Sequence, residues 1–334
     1  REKDEAAVGC FSKTALMQAA AKGERDKPWL MRQASAQSVT LNLPRLGYKA
    51  GGEDDKLFAS LKELMDKAAR AHIQKKDFLE KLLSYAEQGP LAVLAMNADG
   101  YPFFRMNRAH YIIGLVGLNE LMQIHRGSQL HESEAAVAFG LKLVAFLRQE
   151  ALRLTTETGM TFVLEQSPAE TTAYRFARLD LKYYSPAAGR FVRGDIADGS
   201  IYYTNSTHLN TAADVSPLRR AIEEGRFHPY LEGEVITHLQ LDIAHPDREI
   251  LAAFVRDVFE QSRCRQMDLM PEFTACLSCG KTAPGLKDHC GFCDSTDVEG
   301  IARLTKYYSK TSGWNKGKLA ELKNRKAGNF QDRI

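Results

Sequence analysis

Four of the six cysteines lie in two C-x-x-C pairs, formed by Cys276 with Cys279 and by Cys290 with Cys293. The two-residue gap in each pair lets both thiolates face one metal ion from a tight turn, and the ten residues between the pairs form one short loop. Four thiolates suit tetrahedral Zn²⁺, and a shell without an open position is typical of a structural site. The alternatives are two disulfides or a chance spacing. The nearby Gly280 and Gly291 favour zinc, because such knuckles need tight turns.

Composition sets the broad class of the chain. With 334 residues, of which 44% are hydrophobic and 26% charged, it can bury a large core as one domain or two. The net charge of +3 is too small to indicate a nucleic-acid partner, and the longest apolar runs are too short to cross a bilayer. Paired cysteines at metal spacing fit a reducing compartment, so we expect a cytoplasmic protein. The first residue is Arg1 and no signal peptide follows it, which suggests a fragment or a processed product.

Strands alternate with helices along the chain, which predicts an α/β fold. Alternating β-branched residues or short apolar runs predict strands at 38–45 (closed by Pro44), 91–96 with a return at 101–105, 160–164, the start of 199–209, and 235–241. The apolar run 109–118 predicts a strand or a short buried segment. Apolar residues at three-and-four spacing predict helices at 54–86 (two helices or one broken helix), 118–125, 132–156 and 248–260.

Several polar residues follow predicted strands, where α/β folds place ligand contacts. Glu165 and Glu170 flank Pro168 and are candidates for an acid/base pair, or else for helix capping and surface charge. His208 has a catalytic interpretation and a more common structural one. Cys10, isolated in a small-residue turn, is by itself best interpreted as a buried, unreactive thiol.

A resemblance to a known family rests on several strings in the same order. They are T-L-N-L-P-R (40–45), I-G-L-V-G-L-N-E (113–120), E-Q-S-P-A-E-T (165–171), Y-Y-T-N-S-T-H (202–208), the cysteine knuckle, R-L-T-K-Y (303–307) and W-N-K-G-K (314–318) before a charged helix. Together they make the chain similar to the anaerobic (class III) ribonucleotide reductases. The similarity extends from Gly9 to Arg325.

This resemblance implies an architecture and an activity. Residues 1–265 would form the C-terminal part of a ten-stranded α/β barrel, and residues 266–334 a small zinc-binding radical domain. The implied reaction is the anaerobic reduction of a ribonucleoside triphosphate to a deoxyribonucleotide by thiyl-radical chemistry, which supplies DNA precursors. In the family, the N-terminal half carries the allosteric nucleotide sites, the other strands and a second cysteine, and we expect that half to be missing from this sequence.

The resemblance also implies roles for individual residues. Cys10 would become the thiyl radical that removes hydrogen from C3′, and the amide of Asn42 would hold the ribose hydroxyls. The residues implied in substrate binding are Ser167, Thr171, Thr172, Thr204, Asn205 and Ser206. We therefore expect Cys10, Asn42, the loop 165–172 and the tip 204–206 to share one cavity. Implied partners are a ribonucleotide, a radical-SAM activating enzyme, a second copy of the chain in a homodimer, and formate or a thiol reductant.

One position departs from the family at the residue that stores the radical. The family has a glycine after R-x-T, whereas this chain has Lys306. Glycine suits a planar radical centre because it has no Cβ, and a lysine side chain places a charge that is costly to bury. We predict that the chain holds a ribonucleotide but does not, as written, form the usual glycyl radical. The alternative function is that of a radical-free relative that binds nucleotide or a partner without turnover.

Overall fold

The computed structural model describes residue 32 and residues 34–97, 100–166, 169–240, 247–304 and 307–328. The helices are α1 (Leu43–Ala50), α2 (Asp54–Ser84), α3 (Ala92–Ala95), α4 (Leu118–Arg126), α5 (Glu134–Thr158), α6 (Glu170–Tyr184), α7 (Pro217–Gly225), α8 (Arg248–Gln261) and α9 (Lys316–Asn324). The strands are β1 (Ala34–Asn42), β2 (Ala109–Val116), β3 (Thr161–Glu165), β4 (Arg193–Asp195), β5 (Ser200–Tyr202), β6 (Thr237–Gln240), β7 (Met267–Met270), β8 (Phe273–Cys276), β9 (Thr282–Pro284), β10 (Val298–Arg303) and β11 (Tyr308–Lys310). The predicted mixed α/β class is confirmed.

A parallel sheet in the order β1-β2-β3 organises the larger part of the molecule. Every residue of the central strand β2 is buried, as expected for a parallel strand with helices on its faces. Leu41, Leu115 and Leu164 from the three strands join one hydrophobic core with residues of α2 and α5. The helical connections between the strands bring the three carboxyl ends to the same edge of the sheet.

The first strand ends earlier than predicted, at Asn42 rather than at Pro44. The Oδ1 of Asn42 accepts a hydrogen bond of 3.4 Å from the backbone N–H of Arg45, so Asn42 is the N-cap of α1. Pro44 lies in the first helical turn, where a missing N–H costs nothing and the fixed φ angle suits the helix. The strand prediction for 43–45 is therefore wrong.

The segment 54–96 also differs from the sequence prediction. One continuous helix, α2, spans 31 residues and buries Leu57, Leu61 and Met65 at four-residue spacing. The predicted strand 91–96 is instead the single helical turn α3, with a backbone hydrogen bond of 3.0 Å from Met96 N–H to the carbonyl of Ala92. That N–H is consequently not free for strand pairing. The predicted return at 101–105 is reduced to one isolated bridge between Asn97 and Pro102.

The C-terminal strands form small sheets. β7 pairs in parallel with β6, and the order β11-β10-β8-β9 makes an antiparallel sheet that carries the cysteine knuckle. Helix α9 then packs back against β5 and α6. A closed ten-stranded barrel is not seen among the described strands, because the parallel sheet they form has only three strands and two open edges. Within the described residues, no helix has the length and apolar character needed to span a membrane.

Candidate active site and metal centre

Residues from four segments converge at the carboxyl edge of the parallel sheet. Asn42 is paired with Val116, the last residue of β2, and Glu165 ends β3 one strand further on. Val116 also forms an isolated bridge with Asn205, and Gly117 N–H donates a 2.9 Å hydrogen bond to the carbonyl of Thr204. The strand ends thus meet the polar tip 204–206 directly.

Asn42 belongs to a buried polar network centred on Asp180. Its Nδ2 donates a 3.0 Å hydrogen bond to Asp180 Oδ2, and Arg45 Nε donates one of 2.7 Å to Oδ1 of the same carboxylate. The hydroxyl of Tyr203 donates to Asp180 at 3.1 Å and lies 3.1 Å from the hydroxyl of Tyr48. Burial raises the pKa of Tyr48 to about 12, and burial together with the Asp180 charge raises the pKa of Tyr203. Both phenols therefore remain protonated at neutral pH.

Asp180 was missed at the sequence level, although a signal exists. Ala173, Ala177 and Asp180 follow one another at four and three residues, and all three are buried on the same face of α6. An acidic residue on the apolar stripe of a helix is unusual, because a buried charge requires partners. Here Asp180 is fully buried and its partners come from Asn42, Arg45 and Tyr203.

A buried glutamate, Glu120, binds the tip 204–206 through Thr204. Glu120 accepts hydrogen bonds from the backbone N–H of Thr204 at 3.1 Å and from its hydroxyl at 2.7 Å, while Arg193 Nε donates at 3.0 Å. Ser206 has a φ of 43°, and neither its hydroxyl nor Asn205 Oδ1 has a hydrogen-bond partner among the described residues. These two buried oxygens are free to contact a ligand.

The loop after β3 is only partly described. Gln166 is buried, donates from Nε2 to the hydroxyl of Thr207 at 2.8 Å and accepts from Ile236 N–H at 2.7 Å. Thr171 is exposed and Thr172 half-buried in the first turn of α6. Ser167, Cys10 and Lys306 lie outside the described residues. The structure brings Asn42, the end of β3 and the tip 204–206 to one edge of the sheet. That they share one cavity with Cys10 stays a prediction.

The four knuckle cysteines come together as the spacing predicted. Their Sγ atoms all lie within 4.8 Å of one another, with 3.7 Å between Cys276 and Cys293 and 3.7 Å between Cys279 and Cys290. Hydrogen bonds from the backbone N–H groups of Phe292 and Cys293 lower the pKa of Cys290. All four thiols are free, and the group could hold a metal ion.

Comparisons with known proteins agree with this geometry. A family model described as anaerobic ribonucleoside-triphosphate reductase matches residues 1–327. The anaerobic ribonucleoside-triphosphate reductase of Salmonella typhimurium is 28% identical over 312 residues, which cover 86% of this chain and 41% of that protein. The enzyme of the same description from Enterobacteria phage T4 is 26% identical over 310 residues, covering 86% of this chain and 47% of that protein.

Solved structures are similar in fold. One described as an anaerobic ribonucleotide reductase matches with a TM-score of 0.74 at 19% identity, covering 89% of this chain and 45% of that one. The Thermotoga maritima anaerobic ribonucleotide reductase with dATP bound in the specificity site matches with a TM-score of 0.68 at 20% identity, covering 84% and 44%. The chain thus spans less than half the length of the relatives it matches.

Proposed function

Because this chain belongs to the anaerobic ribonucleoside-triphosphate reductase family, we propose that it supplies the substrate-holding edge and the radical segment of an anaerobic ribonucleotide reductase. The observation that carries this proposal is the meeting of Asn42 with the tip 204–206 at the carboxyl edge of the sheet. Strand ends of this kind are where α/β folds bind their ligands. Residues 1–265 would belong to a ten-stranded barrel completed by other strands, and residues 266–334 would form the zinc and radical domain.

The proposed reaction replaces the C2′ hydroxyl of a ribonucleoside triphosphate by hydrogen, and the hydroxyl leaves as water. Two electrons come from formate, which is oxidised to carbon dioxide, or from a thiol pair, which is oxidised to a disulfide. Cys10 removes the C3′ hydrogen as a thiyl radical and returns it at the end. A radical-SAM activating enzyme starts the chemistry, and we place the protein in the cytoplasm as a homodimer.

Asn42 retains hydrogen-bonding capacity for the ribose. An amide offers two N–H donors and two acceptor positions. One donor faces Asp180 and one acceptor position caps α1, so one of each remains for a hydroxyl group. Because Asp180 and the helix cap hold the amide at both atoms, its orientation is set before the substrate arrives. Such preorganisation reduces the entropy lost on binding.

The phosphates would bind at the start of α6. Its first backbone N–H groups have no partner within the helix and favour an anion. Thr171 and Thr172 lie in this first turn and, with Ser167 of the preceding loop, would donate hydroxyl hydrogen bonds. Thr204, Asn205 and Ser206 would contact the nucleoside from the neighbouring tip, where Asn205 Oδ1 and the Ser206 hydroxyl are buried and free among the described residues.

Zinc fits the four cysteines. Tetrahedral Zn²⁺ with Zn–S bonds of about 2.3 Å requires sulfur atoms about 3.8 Å apart. Two of the Sγ separations, at 3.7 Å, match this requirement, and all four sulfur atoms lie within 4.8 Å of one another. The ion would hold β8 and the two turns together and would leave no open coordination position for substrate, so its role is structural.

Nucleotide binding provides the first test. We expect the chain to bind a ribonucleoside triphosphate and Asn42→Ala to bind it at least about tenfold more weakly, since a buried hydrogen bond to the ligand is lost. The control is Asn107→Ala, because Asn107 is exposed and precedes β2, near the opposite end of that strand from Val116. Calorimetric titration measures both. Equal affinity of Asn42→Ala and the unmodified chain would place the ribose elsewhere.

Lys306 provides the second test. The unmodified chain and Lys306→Gly are each supplied with the part of the relatives that this chain does not span, with the activating enzyme and with S-adenosylmethionine. We expect an electron paramagnetic resonance doublet and deoxyribonucleotide formation with Lys306→Gly alone. Equal turnover by both chains would show that the radical is stored at another residue. Absence of turnover from both, with nucleotide binding intact, would favour a radical-free relative.

A further inference from the structure

Another polar site lies between the segment 202–211 and helix α9, where the structure forms a partly open cavity of about 90 Å³. A single water molecule needs only about 10–15 Å³ by the same measure, so the cavity has room for several waters or one small ion. Part of its wall is apolar, with Leu209, Leu239 and Met270 among the lining residues. Such a wall lowers the local dielectric and strengthens charge interactions inside the cavity.

His208 presents a free ring nitrogen to this cavity. The residue is only 7% exposed, and its Nδ1 lies 3.0 Å from Oε2 of the buried Glu224. A carboxylate only accepts hydrogen bonds, so Nδ1 carries a proton. Nε2 is also buried and has no hydrogen-bond partner among the described residues. Leaving such an atom unsatisfied is unfavourable, so a ligand or water is expected beside it.

Glu224 keeps its charge and thereby holds the imidazole. Burial opposes ionisation, but His208, Arg220 and the backbone N–H of Leu209 outweigh it and lower the pKa of Glu224 to about 2. The two neighbouring imidazoles, His228 and His238, bind a proton less readily than a free histidine does. Burial lowers the pKa of His238, whose ring centre lies 5.4 Å from that of His208, and burial lowers the pKa of His228 to about 3.

Cationic side chains outnumber carboxylates in the lining of the cavity, and each of them has an anionic partner. The cationic side chains lining it are Arg220, Lys318, Arg325 and Lys326, and the described lining carboxylates are Glu224 and Glu321. Lys318 uses its ammonium group to bind both oxygens of Glu321, at 3.0 and 2.8 Å, which leaves one of its three N–H donors. Arg325 and Lys326 also pair with carboxylates outside the lining, Glu272 and Asp214. The preference for an anion therefore rests on the Nε2 of His208, which is free among the described residues, and on the remaining N–H donor of Lys318.

We propose that this cavity is a binding site for a small oxyanion, with protonated His208 donating a hydrogen bond to it from Nε2. Lys318, which also lines the cavity, supplies a second donor from its remaining N–H. The same chemistry occurs in a free phosphate or phosphoryl group and in a small carboxylate. The cavity adjoins the proposed substrate site, because Thr204 and Asn205 belong to its lining, but His208 and Lys318 are not among the residues proposed to contact the substrate.

Calorimetric titration with inorganic phosphate and, separately, with acetate tests the site and distinguishes its two sources of ligand. We expect one of the two anions to bind once per chain, and His208→Gln to bind it at least about tenfold more weakly, because a charge-assisted hydrogen bond is lost. The matched control is His131→Gln, which removes another partly buried imidazole, outside the cavity. It should bind the anion as the unmodified chain does. Binding of neither anion, or equal binding by His208→Gln, would overturn the proposal.

Nitrogen NMR of the unmodified chain gives a readout that does not depend on the folding of a variant. On saturation with the binding anion, both ring nitrogens of His208 should carry protons and the Nε2 resonance should shift. Sodium chloride at the same ionic strength should leave that resonance in place. A Nε2 resonance that neither anion moves would show that water satisfies this atom, and the proposal would be wrong.

Discussion

At the scale of single residues, the polar core of the molecule depends on carboxylates that are buried with their partners. Asp180 accepts hydrogen bonds from Asn42, the N-cap of α1, from Arg45 of α1 and from Tyr203, which follows β5. Glu321 plays the same part in α9, where it accepts from Lys318 and Arg325. A charge held in this way is stabilising only while every partner is present.

Asp180→Asn should therefore be strongly destabilising. The substitution removes the counter-charge of Arg45 and leaves its guanidinium beside a neutral amide, and breaking a buried pair typically costs about 3–5 kcal/mol. Urea unfolding of Asp180→Asn, compared with Asp214→Asn, measures the loss, because the Asp214 side chain is 95% exposed. Similar unfolding free energies for the two variants would contradict the role of Asp180.

The stability contributed by Glu321 should depend on pH in a defined window. Burial opposes its ionisation, but Lys318 and Arg325 lower its pKa from 4.5 to about 2. A lowered pKa stabilises the fold above the unfolded value and loses that effect as pH falls through the folded value. Glu321→Gln should thus cost most stability at neutral pH, and the difference should shrink between pH 4.5 and 2. Urea unfolding across this range tests it, with the exposed Glu260→Gln as control.

At the scale of elements, the segment W-N-K-G-K (314–318) holds the start of α9 against the neighbouring elements. Asn315 donates from Nδ2 to the carbonyl of Glu170 at 3.3 Å, and Lys316 donates to the carbonyl of Asp198 at 3.1 Å. Gly317 lets the helix approach β5 closely, because a Cβ at this position would lie 2.3 Å from the carbonyl oxygen of Ile201. The match to the family at this segment thus has a packing reason.

Gly317→Ala should displace α9 from β5. The added methyl group meets backbone atoms that cannot move aside easily, and such overpacking typically costs about 1–3 kcal/mol. Thermal unfolding and limited proteolysis near α9 measure the effect. Gly313→Ala is the control, since no heavy atom lies within 4 Å of a Cβ at that glycine. Equal melting temperatures would mean that α9 does not need the close approach.

The knuckle should lose its metal when one thiolate is removed. We expect one Zn²⁺ per chain, and Cys276→Ser should abolish tight binding, since a hydroxyl is a poor replacement for a thiolate ligand. Cys264→Ser is the matched control, because Cys264 is buried but bonds the carbonyl of Gln266 and lies outside the four-sulfur group. Metal analysis of the purified chains measures the zinc content of each variant. Zinc content unchanged in Cys276→Ser would contradict the site.

At the scale of the whole molecule, the parallel sheet has a fully buried central strand and outer strands with one described neighbour each. The central strand is β2, and the outer strands are β1 and β3. The proposed barrel would cover both open edges. Amide hydrogen exchange of the chain should accordingly show the slowest exchange in β2 and faster exchange at the outer edges of β1 and β3.

Slow exchange along β1 and β3 as well would mean that another segment or a second copy covers those edges in solution. The measurement is made on the chain alone and then with the part of the relatives that it does not span. Increased protection of β1 or β3 in the mixture would support the barrel, and unchanged protection of both would contradict it.

Local patterns predicted much of the fold. The helix predicted at 248–260 is confirmed by α8, and the apolar run at 109–118 is confirmed by β2. In each case the spacing of the apolar residues matches the residues that the element buries. The strand predicted at 91–96 is wrong, since a short apolar run is compatible with a strand or a helical turn. The place where β1 ends was also missed, because Asn42 and Pro44 act there as a helix start.

The sequence alone determined the family and the cysteine knuckle. Both rest on strings and spacings that can be read directly from the sequence. The two C-x-x-C pairs are separated by only one short loop, and the metal spacing itself predicts that their four sulfurs meet. Only the tertiary structure decided the partners of the buried polar residues. Asp180 and Asn42 form a hydrogen bond although they are 138 positions apart in the sequence, and His208 and Glu224 do so at a separation of 16 positions. No local pattern encodes these pairs, because the choice of partner depends on which strand ends and helix faces come together when the core is buried.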